Sequence, residues 1–263
     1  MMHEHPIQEL YERRDLLMIM AWREIKVKYK QSVMGMLWAV LMPLVIICSG
    51  FVFRYVISTL SNTPVARDDL LAVAVKAAPW AFFVNCLRFG TSSLVNNAHL
   101  VTKIYLPRLI FPLSSVASQL LDFSIAAVGV TLFLAFLGVG ASAELLWLPV
   151  LLAALLLLAA SFAILFSAAS LFFRDVKFIV DVFLTFAIFF TPVYYESAQF
   201  GKWAPLMLAN PVAPLLEGIA QVVVHQTAPP LPWIAYSIGV AVAMFAVSLT
   251  AFRSLEPYFA ESI

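Results

Sequence analysis

The side chains with the clearest chemical potential are cations near the start of the chain. Arg23, Lys26 and Lys30 recur at intervals of three and four residues, so they share one face of a helix, and apolar residues occupy another. Such a helix is typical of a membrane surface, where each cation gains about 1 kcal/mol from anionic lipid. The same three side chains could also contact a protein partner or the diphosphate of a substrate, and these roles are compatible.

An aromatic face near residue 190 is a second candidate. Phe183, Phe186 and Phe190 are spaced by three and four residues, so their rings share one helical face, with Tyr194 beyond its end. In a chain with 22 phenylalanines, the simpler interpretation is packing or lipid contact. Alternatively, the rings form one wall of a conduit, where weak apolar contact is suitable because a conduit must avoid strong binding. Two further aromatic residues would then lie opposite this face across a dimer seam: Trp38 and Phe53.

Ionisable residues within the apolar segments are few. An unpaired arginine at position 88 would cost about 2.5–3.5 kcal/mol at the bilayer centre, so we expect a partner for Arg88. Asp122 is one candidate for that partner. Arg174 and Asp175 are expected to stabilise a helix end.

Several kinds of catalytic chemistry have no motif in this sequence. It contains no G-x-x-x-x-G-K-[ST] phosphate loop, no H-E-x-x-H motif and no G-x-S-x-G motif. Its four histidines are scattered, which argues against a metal site. We therefore expect neither catalysis nor a bound cofactor on this chain. A lipid-modifying enzyme would need a polar catalytic cluster, and a self-powered carrier would need more buried acids.

The elements that position these residues must be membrane helices. Of 263 residues, 63% are apolar and 12% charged, whereas soluble domains are about 45–50% apolar and about 25% charged. The mean hydropathy is +0.94. This composition excludes a soluble enzyme, a nucleic-acid-binding protein and a disordered chain. Cys48 and Cys86 lie in apolar runs, which favours packing roles over a disulfide.

The hydropathy pattern predicts an all-α integral membrane protein with six transmembrane helices, since a spanning helix needs about 20 apolar residues. The predicted spans are 33–53, 79–100, 113–137, 145–173, 178–195 and 233–252. The proline-rich stretch between the fifth and sixth spans predicts short half-inserted helices. The chain thus divides into a cytoplasmic amino terminus with an amphipathic interfacial helix (1–32), a transmembrane domain (33–253) and a cytoplasmic tail (254–263).

The distribution of positive charge predicts the orientation. With six spans, eleven lysines and arginines fall on the side of the two termini, and Arg54, Arg67, Lys76 and Lys202 fall on the other. Because cytoplasmic loops carry the excess of positive charge, both termini are predicted to be cytoplasmic.

A longer pattern resembles a known family. The stretch WREIKVKYKQSVMGMLWAVLMPL at 22–44 resembles the opening of permease subunits from bacterial ABC-type polysaccharide exporters, closest to those for O-antigen and teichoic acid. Three later pieces agree in order: KIYLPR at 103–108, FFRDVK at 172–177, and TPVY at 191–194 with Asn210-Pro211. A drug or lipid exporter of the same fold is the nearest alternative.

The resemblance implies a homodimer in the bacterial inner membrane. Each subunit would dock a separate cytoplasmic ATPase subunit, two copies in all, and that partner would hold ATP and magnesium. The complex would move a lipid-linked polysaccharide, with no nucleic acid involved.

The resemblance also favours a coupling helix within residues 96–108, which seats in a cleft of the ATPase. Pro107 would end this helix and free Arg108 for a surface pair. The simpler alternative is a turn that carries charges for topology alone. The candidate coupling residues are Asn97, His99, Lys103, Tyr105 and Arg108.

Overall fold

The computed structural model describes residues 12–30, 32, 34–62, 64–103 and 106–259, and every regular element among them is helical. The helices are α1 (Arg14–Tyr29), α2 (Leu37–Ser61), α3 (Arg67–Asn96), α4 (Ala98–Lys103), α5 (Ile110–Phe136), α6 (Leu148–Phe172), α7 (Asp175–Phe190), α8 (Ala204–Leu208), α9 (Val212–Ala220) and α10 (Leu231–Leu255). Single 3₁₀ segments cover Ala143–Trp147, Ser197–Trp203 and Glu256–Tyr258, and a π-helical turn covers Gln221–His225.

Among the residues that the structure describes, five helices are long and apolar enough to cross a membrane: α2, α3, α5, α6 with its preceding turn, and α10. The predicted fifth span, 178–195, corresponds to α7, which has only 16 residues. At 1.5 Å per residue α7 extends about 24 Å, less than the ~30 Å of a bilayer core. Among the described residues, five of the six predicted spans are thus long apolar helices and the sixth is a shorter helix, so the count of six is not confirmed.

The second predicted span begins too late. Helix α3 starts at Arg67, and Pro79 lies inside it rather than at its start. Two aspartates in the first turn favour this start, because they face the positive end of the helix dipole. Arg54 lies within α2, where it pairs with Asp69 at 3.3 Å. Arg54 and Lys76 are therefore helix residues, and placing them outside the predicted spans was wrong. Without these two residues, the excess of lysines and arginines on the side of the two termini is larger.

Helix α3 is the centre of the bundle, in contact with α2, α5, α6, α7 and α9. It approaches α6 closely, because a Cβ atom at Gly90 would lie 2.5 Å from the Cβ of Ala163. The facing surface of α6 is rich in alanine and serine. Small residues let helix backbones approach within a membrane, where packing rather than hydrophobic burial drives association.

The bundle has two ends, which we call the α1 end and the α9 end. At the α1 end, Arg23 donates a hydrogen bond to Asn97, and the rings of Phe172 and Phe259 lie 5.9 Å apart. At the α9 end, the Gln226 amide donates to the carbonyl of Gly140 at 2.9 Å. Both ends thus join segments that are far apart in sequence.

The stretch between α7 and α10 folds back into the bundle. Helix α9 packs against α3, α6 and α10, and its residues are buried except for Glu217. Asn210 donates to the Thr191 hydroxyl at 2.9 Å, and Tyr236 of α10 donates to the Ala209 carbonyl at 2.7 Å. The sequence prediction of short helices here is confirmed, and their insertion into a membrane stays a prediction.

Helix α1 packs on α5 with its polar face inward. Glu24 and Lys28 bond to α5, whereas Met18, Trp22 and Val27 are exposed. Helix α1 and the bundle therefore form one packed unit. A position of α1 at a membrane surface stays a prediction.

Candidate functional site

The aromatic face of α7 is exposed on the surface of this chain. Phe183, Phe186 and Phe190 expose 69%, 57% and 69% of their surface, whereas Val180, Leu184 and Ala187 on the opposite side of α7 are buried. The face arises from the spacing of the phenylalanines, because residues three and four apart are neighbours on a helix.

These phenylalanines form one wall of a cleft of about 380 Å³ between α3, α6 and α7. The other wall is also aromatic: Trp80, Phe83, Phe162 and Phe166. The rings of this wall pack as a chain, with centroids 6.0 Å apart for Trp80–Phe83 and 5.7 Å apart for Phe162–Phe166. The described residues that line this cleft, hereafter the aromatic cleft, include no charged side chain.

Tyr194 does not extend the exposed face. It is 7% exposed, its hydroxyl lies 2.7 Å from that of Ser49, and its ring lies 5.7 Å from that of Phe53. Its predicted place on the substrate wall is therefore wrong, because it joins α2 to the segment after α7. Phe53 meets Tyr194 within one subunit, so no dimer seam separates them.

Trp38 lies apart from the aromatic cleft. It is 45% exposed and lines a second cavity, of about 230 Å³, with Lys28, Arg88 and Asp122. Within one subunit it therefore does not face the phenylalanines of α7.

Arg88 has a different partner from the one expected. Its Nε donates to Oδ1 of Asp181 in α7 at 2.9 Å. Asp122 is already engaged by residues of α1, so the suggested Arg88–Asp122 pair is wrong. The observed pair joins α3 to α7 beside the aromatic cleft.

Asp122 is the centre of a polar cluster between α1 and α5. Its two carboxylate oxygens accept hydrogen bonds from the Lys28 ammonium and the Tyr29 hydroxyl, and Lys28 also donates to Gln119 at 3.2 Å. Burial of the Tyr29 hydroxyl raises its pKa, and the Asp122 carboxylate raises it further. Sequence reasoning missed Lys28, although its offset from the other cations of α1 indicated a separate face.

Glu24 is the second contact between α1 and α5. Its carboxylate accepts hydrogen bonds from the hydroxyls of Ser114, Ser115 and Ser118, at 3.2, 3.1 and 3.4 Å. Burial raises the pKa of Glu24 above its usual value, while these serines and Arg23 act in the opposite direction. The docked helix therefore binds a proton at Glu24 more readily than a released helix would.

We expect the docking of α1 to weaken as pH rises. A raised pKa means that the stabilisation is complete below the ordinary glutamate value and is lost as pH rises through the docked value. Glu24→Gln keeps an acceptor without the charge, so it should remove this dependence. Hydrogen exchange of the α1 amides at pH 5 and pH 8, corrected for intrinsic rates, measures it. Glu12→Gln, at an exposed glutamate, is the control, and an unchanged pH dependence in Glu24→Gln would contradict the assignment.

The three predicted cations of α1 separate into two groups. Arg23 donates to the side chain of Asn97 and so joins α1 to the end of α3. Lys26 and Lys30 are exposed, and the Lys26 ammonium lies 5.7 Å from the centre of the Trp22 ring. Only Lys26 and Lys30 are therefore open to lipid or to a partner.

A short helix does lie in the predicted coupling segment. Helix α4 covers Ala98–Lys103, and His99 is exposed on it. Asn97 is 6% exposed and donates to the Ser93 carbonyl at 2.8 Å, and its contact with a partner stays a prediction. Tyr105 lies outside the described residues, and so does the side chain of Lys103.

Arg108 is not free for a surface pair. Its guanidinium donates to the Glu256 carbonyl and lies 5.6 Å from the centre of the Phe259 ring. The expected role was wrong because the end of the described chain packs back beside Arg108, which sequence spacing could not reveal.

Lys76 is the functional candidate that sequence reasoning missed most completely. It is fully buried within α3, and its ammonium donates to the carbonyls of Pro192 and Tyr195 at 2.6 and 2.7 Å. These carbonyls follow the end of α7. A charged residue among apolar residues was the available signal, since such groups need internal partners in a membrane.

Comparison with known proteins places this chain in a family. Residues 15–224 match the model of the ABC-2 type transporter membrane domain. Two proteins named O-antigen export system permease protein RfbA are similar over nearly the whole length. One, from Klebsiella pneumoniae, is 24% identical over 249 residues, which is 94% of each chain. The other, from Myxococcus xanthus, is 28% identical over 268 residues, which is 98% of each chain.

The match covers far more than half of the sequence and includes α1, α4, the aromatic cleft and α9. With five long apolar helices, the architecture agrees with a multi-pass membrane protein. This chain belongs to the ABC-2 type transporter family, as a membrane permease subunit.

Proposed function

We propose that this chain is the membrane subunit of an ATP-driven exporter that moves a lipid-linked polysaccharide across the bacterial inner membrane. It acts as a homodimer with two ATPase subunits, which bind ATP and magnesium. Both termini lie in the cytoplasm, so the α1 end is the cytoplasmic end. The names of the two relatives support the substrate class.

The observation that carries this proposal is the exposed, uncharged aromatic cleft. Every sugar unit of a long polymer must move past the same protein side chains, so each contact has to be weak and has to accept different sugars. Aromatic rings offer sugars broad apolar contact, whereas fixed charges would bind some sugar units of the polymer too strongly. A drug or lipid exporter of the same fold remains the alternative, and the relatives favour the polysaccharide.

Two further elements serve this function. Helix α4 is the coupling element that contacts the ATPase, with His99 on its exposed side. Helix α1 rests on the cytoplasmic membrane surface, where Lys26 and Lys30 contact anionic lipid.

Partner dependence is the first test. The chain purified alone should show no ATP hydrolysis, because its sequence has no phosphate loop. Co-purification with the ATPase subunit should give hydrolysis, measured as phosphate release. Robust hydrolysis by the isolated chain would overturn the proposal.

Alanine at positions 183, 186 and 190 should slow export by about tenfold or more in combination, while the complex still assembles. Each truncation removes most of an exposed ring from the cleft without opening a packed core. Export is measured as glycan that appears at the cell surface. Phe178→Ala, at an equally exposed phenylalanine outside the cleft, is the matched control.

Cysteine labelling distinguishes a conduit from a lipid-facing wall. After removal of Cys48 and Cys86, cysteines at 186 and 190 should react with a membrane-impermeant thiol reagent in the nucleotide-bound complex. Failure to label in any state, together with normal export by the alanine variants, would exclude the conduit.

A further inference from the structure

A polar cavity lies at the amino-terminal end of α7, and the proposed function does not use it. Its volume is about 330 Å³, and its walls come from α3, the start of α4, α6 and the first turn of α7. The residues that matter are Ser92, Asn96, Arg174 and Lys177. We call it the α7 amino-terminal cavity.

The cavity is cationic without an internal counter-charge. Arg174 and Lys177 are three residues apart and both line it, and no carboxylate does. Within the described part of the chain, neither cation forms a salt bridge. Asp181, one turn beyond Lys177, is bound to Arg88 instead. An anionic ligand would therefore meet two available cations.

Neutral donors in the cavity are also available. Ser92 is 8% exposed, and its hydroxyl has no hydrogen-bond partner among the described residues. The first turn of α7 receives no side-chain cap, and Arg174 and Lys177 at this end of the helix line the cavity, so the positive end of the helix dipole lies beside it. Cations, a helix amino terminus and a buried hydroxyl together are the donor set that binds phosphate groups.

The cavity and the aromatic cleft lie along the same groove. Both are bounded by α3, α6 and α7; the cavity reaches Lys177, and the cleft begins at Val182. The Arg88–Asp181 pair lies between these positions on α7. If the anionic group of a ligand lay in the cavity, the first side chains of the aromatic cleft would thus be one to two turns further along α7.

We propose that the α7 amino-terminal cavity binds the diphosphate of the substrate's lipid carrier, at the entrance to the aromatic cleft. This inference rests on the proposed function. A diphosphate suits the cavity better than a monophosphate, because two cations, the helix amides and Ser92 provide more donors than one phosphate group can use. Binding there would hold the end of the glycan chain beside the first rings of the cleft.

Equilibrium binding of a soluble probe tests the proposal. The full-length chain in phosphatidylcholine nanodiscs is titrated with radiolabelled farnesyl diphosphate, farnesyl monophosphate and farnesol. The diphosphate should bind most tightly. Arg174→Gln and Lys177→Gln should each weaken its binding about tenfold, the usual effect of one charged hydrogen bond, and Ser92→Ala should weaken it less. Lys26→Gln, at an exposed cation of α1, should leave binding unchanged.

Three results would overturn the proposal. The first is diphosphate binding that is unaffected by either α7 substitution. The second is displacement of the probe by phosphatidylglycerol at equal concentration, which would make the cavity a general lipid-headgroup site. The third is that Arg174→Gln and Lys177→Gln abolish co-purification with the ATPase while probe binding is unchanged. The cavity would then be a surface for an acidic segment of the ATPase. Absence of glycan export by the unmodified complex would refute the proposed function alone, because probe binding needs no transport.

Discussion

Replacement of Lys76 by methionine should release the segment that follows α7. Methionine keeps the apolar stem of lysine but removes the ammonium that donates to the Pro192 and Tyr195 carbonyls. Each buried carbonyl left unpaired costs about 1–3 kcal/mol, so we expect a loss of about 2–6 kcal/mol in the free energy of unfolding.

Thermal unfolding in detergent and limited proteolysis together measure this effect. The Lys76→Met chain should melt at a lower temperature and be cleaved between α7 and α9, where Ser197 is otherwise held by Glu217. Lys202→Met is the matched control, since Lys202 is exposed on the same segment. Equal melting temperatures and equal cleavage in both variants would show that Lys76 does not hold the segment.

Proline at position 101 should abolish export while the membrane helices still insert. The Val101 amide donates to the Asn97 carbonyl at 3.1 Å, in the turn that begins α4. Proline removes this hydrogen bond and its ring clashes with the preceding turn, at about 3 kcal/mol or more. A helix of six residues cannot absorb that loss, so α4 should unfold. Surface glycan and membrane-fraction abundance are the two measurements.

Val101→Ala is the control for the side chain. Val101 is 5% exposed and packs with Leu94, Leu109 and Phe111, so any substitution also loses contacts. Alanine keeps the backbone hydrogen bond, and we expect export to persist in that variant. If Val101→Ala abolishes export as Val101→Pro does, export depends on the packing of the Val101 side chain and not on the helical conformation of α4. If the proline variant exports normally, α4 is not a coupling helix.

The sequence predicted most of the helices because apolar runs of about 20 residues have few alternatives to spanning a membrane. It placed the start of α3 too late because the charge of Lys76 interrupted the apolar run. Burial of that charge depends on two carbonyls more than a hundred positions away, and hydropathy does not detect such a partner.

The position of a candidate residue on its helix was predicted well where spacing alone decides it. The phenylalanines of α7 share a face because a helix places residues three and four apart together. Pairings across helices were not predictable in the same way. Asp122 and Asp181 were both available to Arg88, and the choice was decided by α1, whose Lys28 and Tyr29 bind Asp122. Tyr194 was misplaced because α7 ends at Phe190, so the helical spacing of the phenylalanines does not continue as far as residue 194.

The shortness of α7 has a consequence for the surrounding lipid. A helix about 24 Å long beside a hydrocarbon core of about 30 Å creates a hydrophobic mismatch of roughly 6 Å. Bilayers respond by thinning locally, at fractions of a kcal/mol per ångström. The bilayer around the subunit would then be thinnest near α7, so lipids with short acyl chains should gather around that part of the subunit. In such a membrane, a polar polymer that moves along α7 has less hydrocarbon to cross, and export should be faster in thin bilayers than in thick ones.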